Sequence, residues 1–155
     1  MPLSLGKGFE SQFKADIKNQ GMFIYRLPDQ MTGNAVSSKN PCDFIVYTKP
    51  YLYMVECKSI HGNTFPLSNL TQYELLKSYN HFDGLNCAVL IWYIDRDKLL
   101  YVPISTVQLC KKKELKSINV TKLEELEDKY IEVPFQKKRI YLSGNYEFLK
   151  TGVNI

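Results

Sequence analysis

Residues 43–58 of the 155-residue chain have the sequence DFIVYTKPYLYMVECK. Segments 43–48 and 51–58 are rich in β-branched and aromatic residues, which favour strands, and Lys49-Pro50 separates them. The stretch therefore predicts a β-hairpin. If Thr48 pairs with Tyr51, then Asp43 lies directly opposite Glu56.

This register would bring three charged side chains together at the open end of the hairpin. Directly opposed residues share one face of a sheet, with Cβ atoms about 5 Å apart, and Lys58 lies two residues beyond Glu56 on that face. Two adjacent carboxylates repel each other and need a cation, and a hard ion such as Mg²⁺ prefers carboxylate oxygens. Lysine beside them would orient a water, which is the arrangement that phosphodiester hydrolysis requires.

The same pattern has a plainer interpretation. An Asp, a Glu and a Lys on neighbouring strands often form a solvated ion-pair patch, and the pattern alone favours that patch by a modest margin. A slip of one residue in the register would also turn Asp43 to the opposite face.

The surrounding sequence predicts the other elements of the fold. Phe9, Phe13 and Ile17 recur every four residues and indicate an amphipathic helix over 9–19. The continuous apolar run 87–94 is typical of a central strand buried on both faces. We also expect a loop over 27–41 and a loop over 59–67. The remaining predicted elements are strands over 22–26 and 99–104 and a helix over 69–80. We therefore expect an α/β (α+β) fold with a mixed central sheet flanked by helices.

The last third of the chain predicts smaller elements. Ser105 is a candidate N-cap for a short helix through Lys112, and Thr121 with Glu124 resembles a capping box. A final strand is expected over 137–142. The length suits a single domain, 1–155, with a core over about 6–105 and additional elements over 106–155.

Composition narrows the class of protein. Twenty basic and 16 acidic residues give a net charge of +4, which is compatible with a polyanionic partner. The four cysteines form no Cys-x-x-Cys pair and only two histidines are present, which argues against a structural zinc site. No apolar run approaches the roughly 20 residues that span a bilayer, and the N-terminus lacks the apolar core of a signal peptide. A cytoplasmic location is expected.

Four short motifs occur in order along the first 105 residues. Pro41-Cys42-Asp43, twelve further residues and then Glu56-Cys57-Lys58 resemble the signature of the PD-(D/E)xK nuclease superfamily. The whole set is similar to the RecU-type Holliday junction resolvases, including their short phage-like relatives. The motifs are GKGFE at 6–10, NPCDF at 40–44, ECKS at 56–59 and TFPL at 64–67.

The resemblance implies a restriction-endonuclease-like fold and roles for individual residues. Asp43 and Glu56 would be ligands of Mg²⁺ or Mn²⁺, with the Cys57 carbonyl as a further ligand, and Lys58 would position the attacking water. Two further residues match catalytic positions of the family. These are Glu10, on the first helix, and Gln72, on the helix after the signature.

The resemblance also implies DNA as the partner, specifically a four-way junction cut by a homodimer. Full-length members of the family carry a long stalk before the aspartate, whereas segment 27–41 is much shorter here, which leaves junction specificity open. The basic side chains considered for DNA contact are Arg26, Lys39, Lys137, Lys138 and Arg139.

Other interpretations stay open at this stage. The basic run 137–139, like 111–113, is equally typical of a solvated face and of a surface that follows the DNA backbone. A nuclease for flaps or duplex ends, or a catalytically silent DNA-binding module on the same fold, would share much of this sequence. His61 follows the signature, but a loop histidine alone does not indicate a catalytic role.

Overall fold

The computed structural model describes residues 4–28 and 40–155. Its centre is a six-stranded mixed sheet in which two neighbouring strands run parallel and the other neighbours run antiparallel. This confirms the predicted fold class. In spatial order the strands are β1 (Phe23–Arg26), β2 (Phe44–Thr48), β3 (Tyr51–Ile60), β5 (Leu85–Tyr93), β6 (Lys98–Pro103) and β8 (Ile131–Glu132), and the parallel pair is β3 and β5.

The hairpin β2–β3 has the predicted register. Thr48 pairs with Tyr51, and the pairing continues to Phe44 opposite Val55. Asp43 directly precedes β2, so the next position along β3 opposite it is Glu56. The strand β3 continues past this point to Ile60, which shortens the loop expected over 59–67.

Helix α1 (Leu5–Asn19) covers one face of the sheet. Ser4 caps its N-terminus, because the Ser4 hydroxyl oxygen accepts a hydrogen bond from the Lys7 backbone N–H at 3.2 Å. The predicted apolar stripe of Phe9, Phe13 and Ile17 is buried against the sheet. The predicted helix is therefore confirmed, with a start four residues earlier than expected.

Helices α2 (Tyr73–Tyr79) and α3 (Ile104–Lys112) cover the opposite face. The helix predicted over 69–80 is thus shorter, because residues 67–69 form a 3₁₀ turn. A small sheet pairs β4 (Thr64–Pro66) with β7 (Ser117–Asn119) beside these helices. The central strand β5 is buried on both faces, as its continuous apolar sequence predicted.

Two predicted helix starts are wrong. Helix α3 begins at the buried Ile104, with Pro103 as its N-cap, so Ser105 lies inside the first turn. Thr121 does not cap a helix because its N–H and hydroxyl both donate to the Asn119 side chain, at 2.9 and 2.7 Å. The segment Leu123–Leu126 forms a 3₁₀ turn instead.

The strand predicted over 137–142 is in fact two strands. β9 (Phe135–Lys138) and β10 (Tyr141–Gly144) form a hairpin in which Tyr141 pairs with Lys138. Only Arg139 and Ile140 connect the two strands, and Arg139 has a φ of 40°, which turns the chain back. This hairpin packs on α1, outside the central sheet.

Candidate active site

Asp43 and Glu56 meet where β2 begins and β3 continues. The Asp43 carboxylate Oδ2 accepts a hydrogen bond from the backbone N–H of Cys57 at 2.9 Å, which holds the aspartate against β3. The Asp43 carboxylate is in turn the neighbour that repels Glu56 most strongly. The structure therefore brings together the two carboxylates that the hairpin register predicted.

Glu56 is a buried acid with little compensation. Its side chain is only 3% exposed, and its Oε2 atom has no hydrogen-bond partner among residues 4–28 and 40–155. Burial raises its pKa to about 9, and charge repulsion from Asp43 and hydrogen bonding to Asp43 raise it further in the same direction. In the metal-free protein Glu56 therefore keeps its proton well above the ordinary range of a glutamate.

Lys58 lies next to this pair, as predicted. Its Nζ atom is 3.8 Å from Oε1 of Glu56, and its positive charge lowers the pKa of Glu56 without overcoming the effect of burial. The lysine side chain is about a quarter exposed, at 27%, so it reaches both the buried glutamate and the solvent side of the site. It can therefore donate to a molecule that sits against the carboxylates.

Glu10 reaches the site from α1. Arg26 holds it through Nη2 at 3.0 Å and Nε at 3.3 Å, both to Glu10 Oε2. The charge of Glu10 raises the pKa values of Glu56 and Cys57, so Glu10 is near enough to both residues to act on them electrostatically. Arg26, which the sequence suggested for DNA contact, is engaged with Glu10 and also donates to the Leu27 carbonyl at 3.2 Å.

Cys57 offers its backbone and not its thiol. The thiol is buried, and burial together with the charges of Asp43 and Glu10 raises its pKa well above the ordinary value. A thiolate ligand or nucleophile is therefore disfavoured at this position. The Cys57 carbonyl is the group that the sequence analysis expected at a metal.

Gln72 forms its side-chain hydrogen bond with a neighbouring residue and not with the carboxylates. It is the N-cap residue of α2, and its side-chain oxygen accepts a hydrogen bond from the Thr71 hydroxyl at 3.0 Å. Within the described ranges, the structure gives no hydrogen bond from Gln72 to Asp43, Glu56 or Lys58. Its predicted place beside the scissile phosphate stays a prediction.

The basic residues proposed for DNA contact are distributed differently. Lys137 forms an ion pair with Asp97 at 2.6 Å, whereas Lys138 and Arg139 are exposed at the tip of the β9–β10 hairpin. Lys39 lies outside the described residues.

The comparison with protein families identifies the family of this chain. The RecU family, described as recombination protein U, matches residues 18–144. The chain belongs to the RecU family. The resemblance to RecU-type resolvases of the PD-(D/E)xK nuclease superfamily is thereby confirmed.

A solved structure agrees with the fold of this RecU-family chain. The structure of Archaeoglobus fulgidus Hjc, a Holliday junction resolvase from an archaeal hyperthermophile, superposes with a TM-score of 0.55 at 19% sequence identity. The match covers 75% of this chain and 89% of that chain. Comparison with curated protein sequences gives no match.

One polar pair beside the site escaped the sequence analysis. Asp95 holds His61 through an Oδ1–Nδ1 contact of 3.0 Å and accepts a second hydrogen bond from the Gly62 N–H at 2.7 Å. The parallel pairing of Ile60 with Tyr93 creates this neighbourhood, because it brings the ends of β3 and β5 side by side. Asp95 directly follows the apolar run predicted as a strand, but nothing in the sequence indicates that the end of this strand lies beside His61.

The carboxylates fit a divalent ion. Among residues 4–28 and 40–155, no cluster of three or more His, Cys, Asp or Glu side chains is arranged to hold a metal. The fit depends instead on two carboxylates and a backbone carbonyl, a ligand set that Mg²⁺ accepts because it retains several waters. The unpartnered Oε2 atom of Glu56 is the buried acceptor that such an ion would satisfy.

None of the helices in the described ranges is long and apolar enough to cross a membrane.

Proposed function

We propose that this chain is an endodeoxyribonuclease that uses Mg²⁺ or Mn²⁺ to cut four-way DNA junctions during recombination. The observation that carries the proposal is the juxtaposition of Asp43 with the buried Glu56, whose Oε2 atom has no partner in the described ranges. Burial first, and then the charge of Asp43, raise the pKa of Glu56 to about 9. A site that only bound DNA would gain nothing from two repelling carboxylates. Membership of the RecU family and the fold shared with Hjc support a junction as the substrate.

In this proposal, Asp43, Glu56 and the Cys57 carbonyl hold the ion. A bound divalent ion supplies positive charge that polarises the phosphoryl group and acidifies water. The protein fixes the ligands in advance, because the Cys57 N–H already holds Asp43 at 2.9 Å and the strand β3 carries Glu56 and Cys57. Glu56 would have to lose its proton before its carboxylate could bind the ion.

The other catalytic candidates act on the water and the phosphate. Lys58 donates a hydrogen bond to the attacking water and orients it for in-line attack on phosphorus. Glu10, held by Arg26 at 3.0 Å, adds negative charge that keeps the ion in place. Gln72, on α2, contacts the scissile phosphate by analogy with the family.

Cationic side chains around the site hold the DNA backbone. Lys138 and Arg139 are exposed and take phosphates directly, whereas Lys137 must first exchange its partner Asp97 for a phosphate. Arg26 and Lys39 complete the proposed set, with Arg26 acting mainly through Glu10.

We also propose that the protein acts as a homodimer in the cytoplasm. One active site per chain suits a homodimer, because two symmetric cuts on a junction need two sites related by a twofold axis. Residues 1–155 act as a single nuclease domain. Four buried free cysteines are consistent with a reducing compartment, and we place the protein in the cytoplasm.

A cleavage assay tests this function. Four-way junction, flap and linear duplex of matched sequence are incubated with Mg²⁺, with Mn²⁺ or with EDTA. We expect cuts in the junction with either metal, no cuts in EDTA, and no cuts by Asp43→Asn. Asp83→Asn is the matched control, because Asp83 is an exposed aspartate in the loop before β5, at the far end of the sheet.

The same assay separates the alternatives. Preferred cutting of the flap or the duplex would replace the junction as substrate and leave the nuclease chemistry intact. Junction binding without cutting under any metal would identify a silent DNA-binding module. Light scattering at the assay concentration measures the dimer, and a monomer that cuts both strands would contradict the twofold arrangement.

A further inference from the structure

The tip of the β9–β10 hairpin combines an apolar side chain with a run of cations. Ile140 is 56% exposed at the turn, and it follows Lys137, Lys138 and Arg139 directly. Lys138 and Arg139 form no ion pair within the described ranges. The exposed part of Ile140 is therefore free to contact a ligand, and Lys138 and Arg139 lie directly before it in the chain.

The turn that carries these side chains has an unfavourable backbone conformation at Arg139. Arg139 is the first of the two turn residues and has a φ of 40°, in the left-handed region where glycine is usual. Glycine would relieve the strain and remove the cation. Strain of this kind is typical of functional sites, where the surrounding structure maintains it.

The hairpin is fixed firmly to the body of the protein. Buried Asp16 accepts hydrogen bonds from the Ser143 hydroxyl at 2.8 Å and the Gly144 N–H at 2.9 Å. Gln20 donates to the Gly144 carbonyl at 2.8 Å and accepts from the Tyr146 N–H at 2.6 Å. The tip therefore projects from a rigid support and is not a loosely attached loop.

The base of the tip lies on the face of the sheet that α1 covers, whereas Glu56 and Lys58 lie on the opposite face. Tyr141 packs against Gly8, two residues from Glu10, and its ring centroid is 5.9 Å from that of Trp92. Trp92 pairs with Ser59 on β3, three residues beyond Glu56.

We propose that Ile140 is a wedge that enters the base stack of the bound DNA. Lys138 and Arg139 bind the phosphates on either side of the opened step. Proteins that unstack DNA use this combination of an apolar wedge and flanking cations. The positive charge of the tip favours a polyanion over an apolar protein surface as the ligand. Within DNA, the faces of the bases are the apolar surface that the isoleucine side chain can contact.

A wedge of this kind also discriminates between DNA structures. Opening a base step costs least where pairing or stacking is already disturbed, as at a branch. Ile140 would therefore contribute more to binding of a junction than to binding of an intact duplex. This inference rests on the proposed DNA substrate, but it does not depend on cleavage.

Fluorescence of 2-aminopurine tests the wedge. The base analogue is placed at the branch point, at successive positions along each arm, and at the same positions in a linear duplex. The Asp43→Asn protein is used throughout so that the DNA stays intact. We expect saturating protein to raise the fluorescence several-fold at one junction position, because an unstacked 2-aminopurine is no longer quenched.

Changes at residue 140 give the decisive comparison. We expect Ile140→Ser to abolish the rise and to weaken junction binding roughly tenfold, while duplex affinity changes little. Ile140→Phe should restore the rise. Phe82→Ser is the control, because Phe82 is 55% exposed in the loop before β5, far from the site.

The possible results separate this inference from the proposed function. An unchanged rise in Ile140→Ser, no rise with the parent protein at saturation, or equal loss of affinity for junction and duplex would each overturn the wedge. Cleavage of junctions together with any of those results would leave the nuclease proposal standing. Unstacking that depends on Ile140, in a protein that cuts no DNA, would support the wedge and overturn the nuclease.

Discussion

Glu56 lies directly across the β2–β3 hairpin from Asp43, and the two carboxyl groups raise the free energy of the metal-free protein. Burial and the charge of Asp43 raise the pKa of Glu56 from an ordinary 4.5 to about 9. The fold therefore maintains a repulsive pair at its centre, and the chemistry proposed for the site explains why. The pair is unfavourable alone and favourable around a divalent ion.

We expect Glu56→Gln to stabilise the metal-free protein and to abolish cleavage. The amide removes the charge that burial penalises and can donate a hydrogen bond to Asp43. The gain should be about 1–3 kcal/mol, or a rise of about 2–4 °C in Tm for each kcal/mol. Thermal melts in EDTA at pH 8 measure it. Glu74→Gln, at an exposed glutamate on α2, should leave the Tm unchanged.

The stability of the metal-free protein should fall as the pH rises. Between pH 4.5 and about 9 the native protein retains a proton on the pair that the unfolded chain has lost. The contribution of Glu56 to stability is therefore present below pH 4.5 and is lost progressively up to about pH 9. Urea denaturation in EDTA at a series of pH values should show this slope, and Glu56→Gln should flatten it. An identical slope in both proteins would show that the pH dependence does not come from Glu56.

Binding of the ion should release a proton. Because the pKa of Glu56 is raised to about 9 and the ion needs its carboxylate, Mg²⁺ affinity should rise with pH up to about 9. Calorimetric titrations at pH 7 in buffers of different ionisation enthalpy measure the number of protons released. We expect between zero and one proton for the wild type. For Glu56→Gln we expect no release and much weaker binding.

The sequence predicted the β2–β3 hairpin and its two carboxylates well, because the signals for them are local. The turn at Lys49-Pro50 and the apolar pattern on either side fix the register from Thr48–Tyr51 to the carboxylates. The position of Asp43 opposite Glu56 then follows from strand geometry alone. The sequence suggested DNA contact for Arg26 but not its ion pair with Glu10, because that pair depends on how α1 lies over β1.

The last third of the chain was harder to predict for a physical reason. Its strands are two to four residues long, too short for a hydrophobic period to be recognised. The hairpin turn carries Arg139 at a positive φ, where sequence signals would require glycine or asparagine. Outside this region, the pair of His61 and Asp95 was also not predicted from the sequence. These residues are 34 positions apart, and their contact depends on the parallel pairing of β3 with β5.

Lys58→Met should separate binding from catalysis. Methionine retains the length of the side chain and removes the charge that orients the water. We expect the single-turnover cleavage rate to fall about 100-fold or more, with junction affinity within a few-fold of the wild type. Lys49→Met is the matched control, since Lys49 is an exposed lysine at the opposite end of the same hairpin. Equal losses of rate and of affinity would make Lys58 a phosphate-binding residue and not a positioning residue.

Gly8 and Gly6 should respond in opposite ways to the same substitution. Both lie in α1, where alanine favours the helix by about 0.5–1 kcal/mol over glycine. A Cβ at Gly6 would meet only the Ser59 hydroxyl at 3.8 Å, so Gly6→Ala should raise the free energy of unfolding. A Cβ at Gly8 would occupy the space of the Tyr141 ring, so Gly8→Ala should lower it by about 1–3 kcal/mol.

A double-mutant cycle identifies the cause of the loss at Gly8. If the clash with the Tyr141 ring is responsible, Gly8→Ala should no longer destabilise a Tyr141→Ala protein, and urea denaturation should show a coupling of about 1 kcal/mol or more. Additive losses would place the strain elsewhere in α1. Because Tyr141 forms the base of the hairpin tip, Gly8→Ala should also displace Ile140. It should therefore reduce the preference for junction over duplex, whereas Gly6→Ala should preserve it.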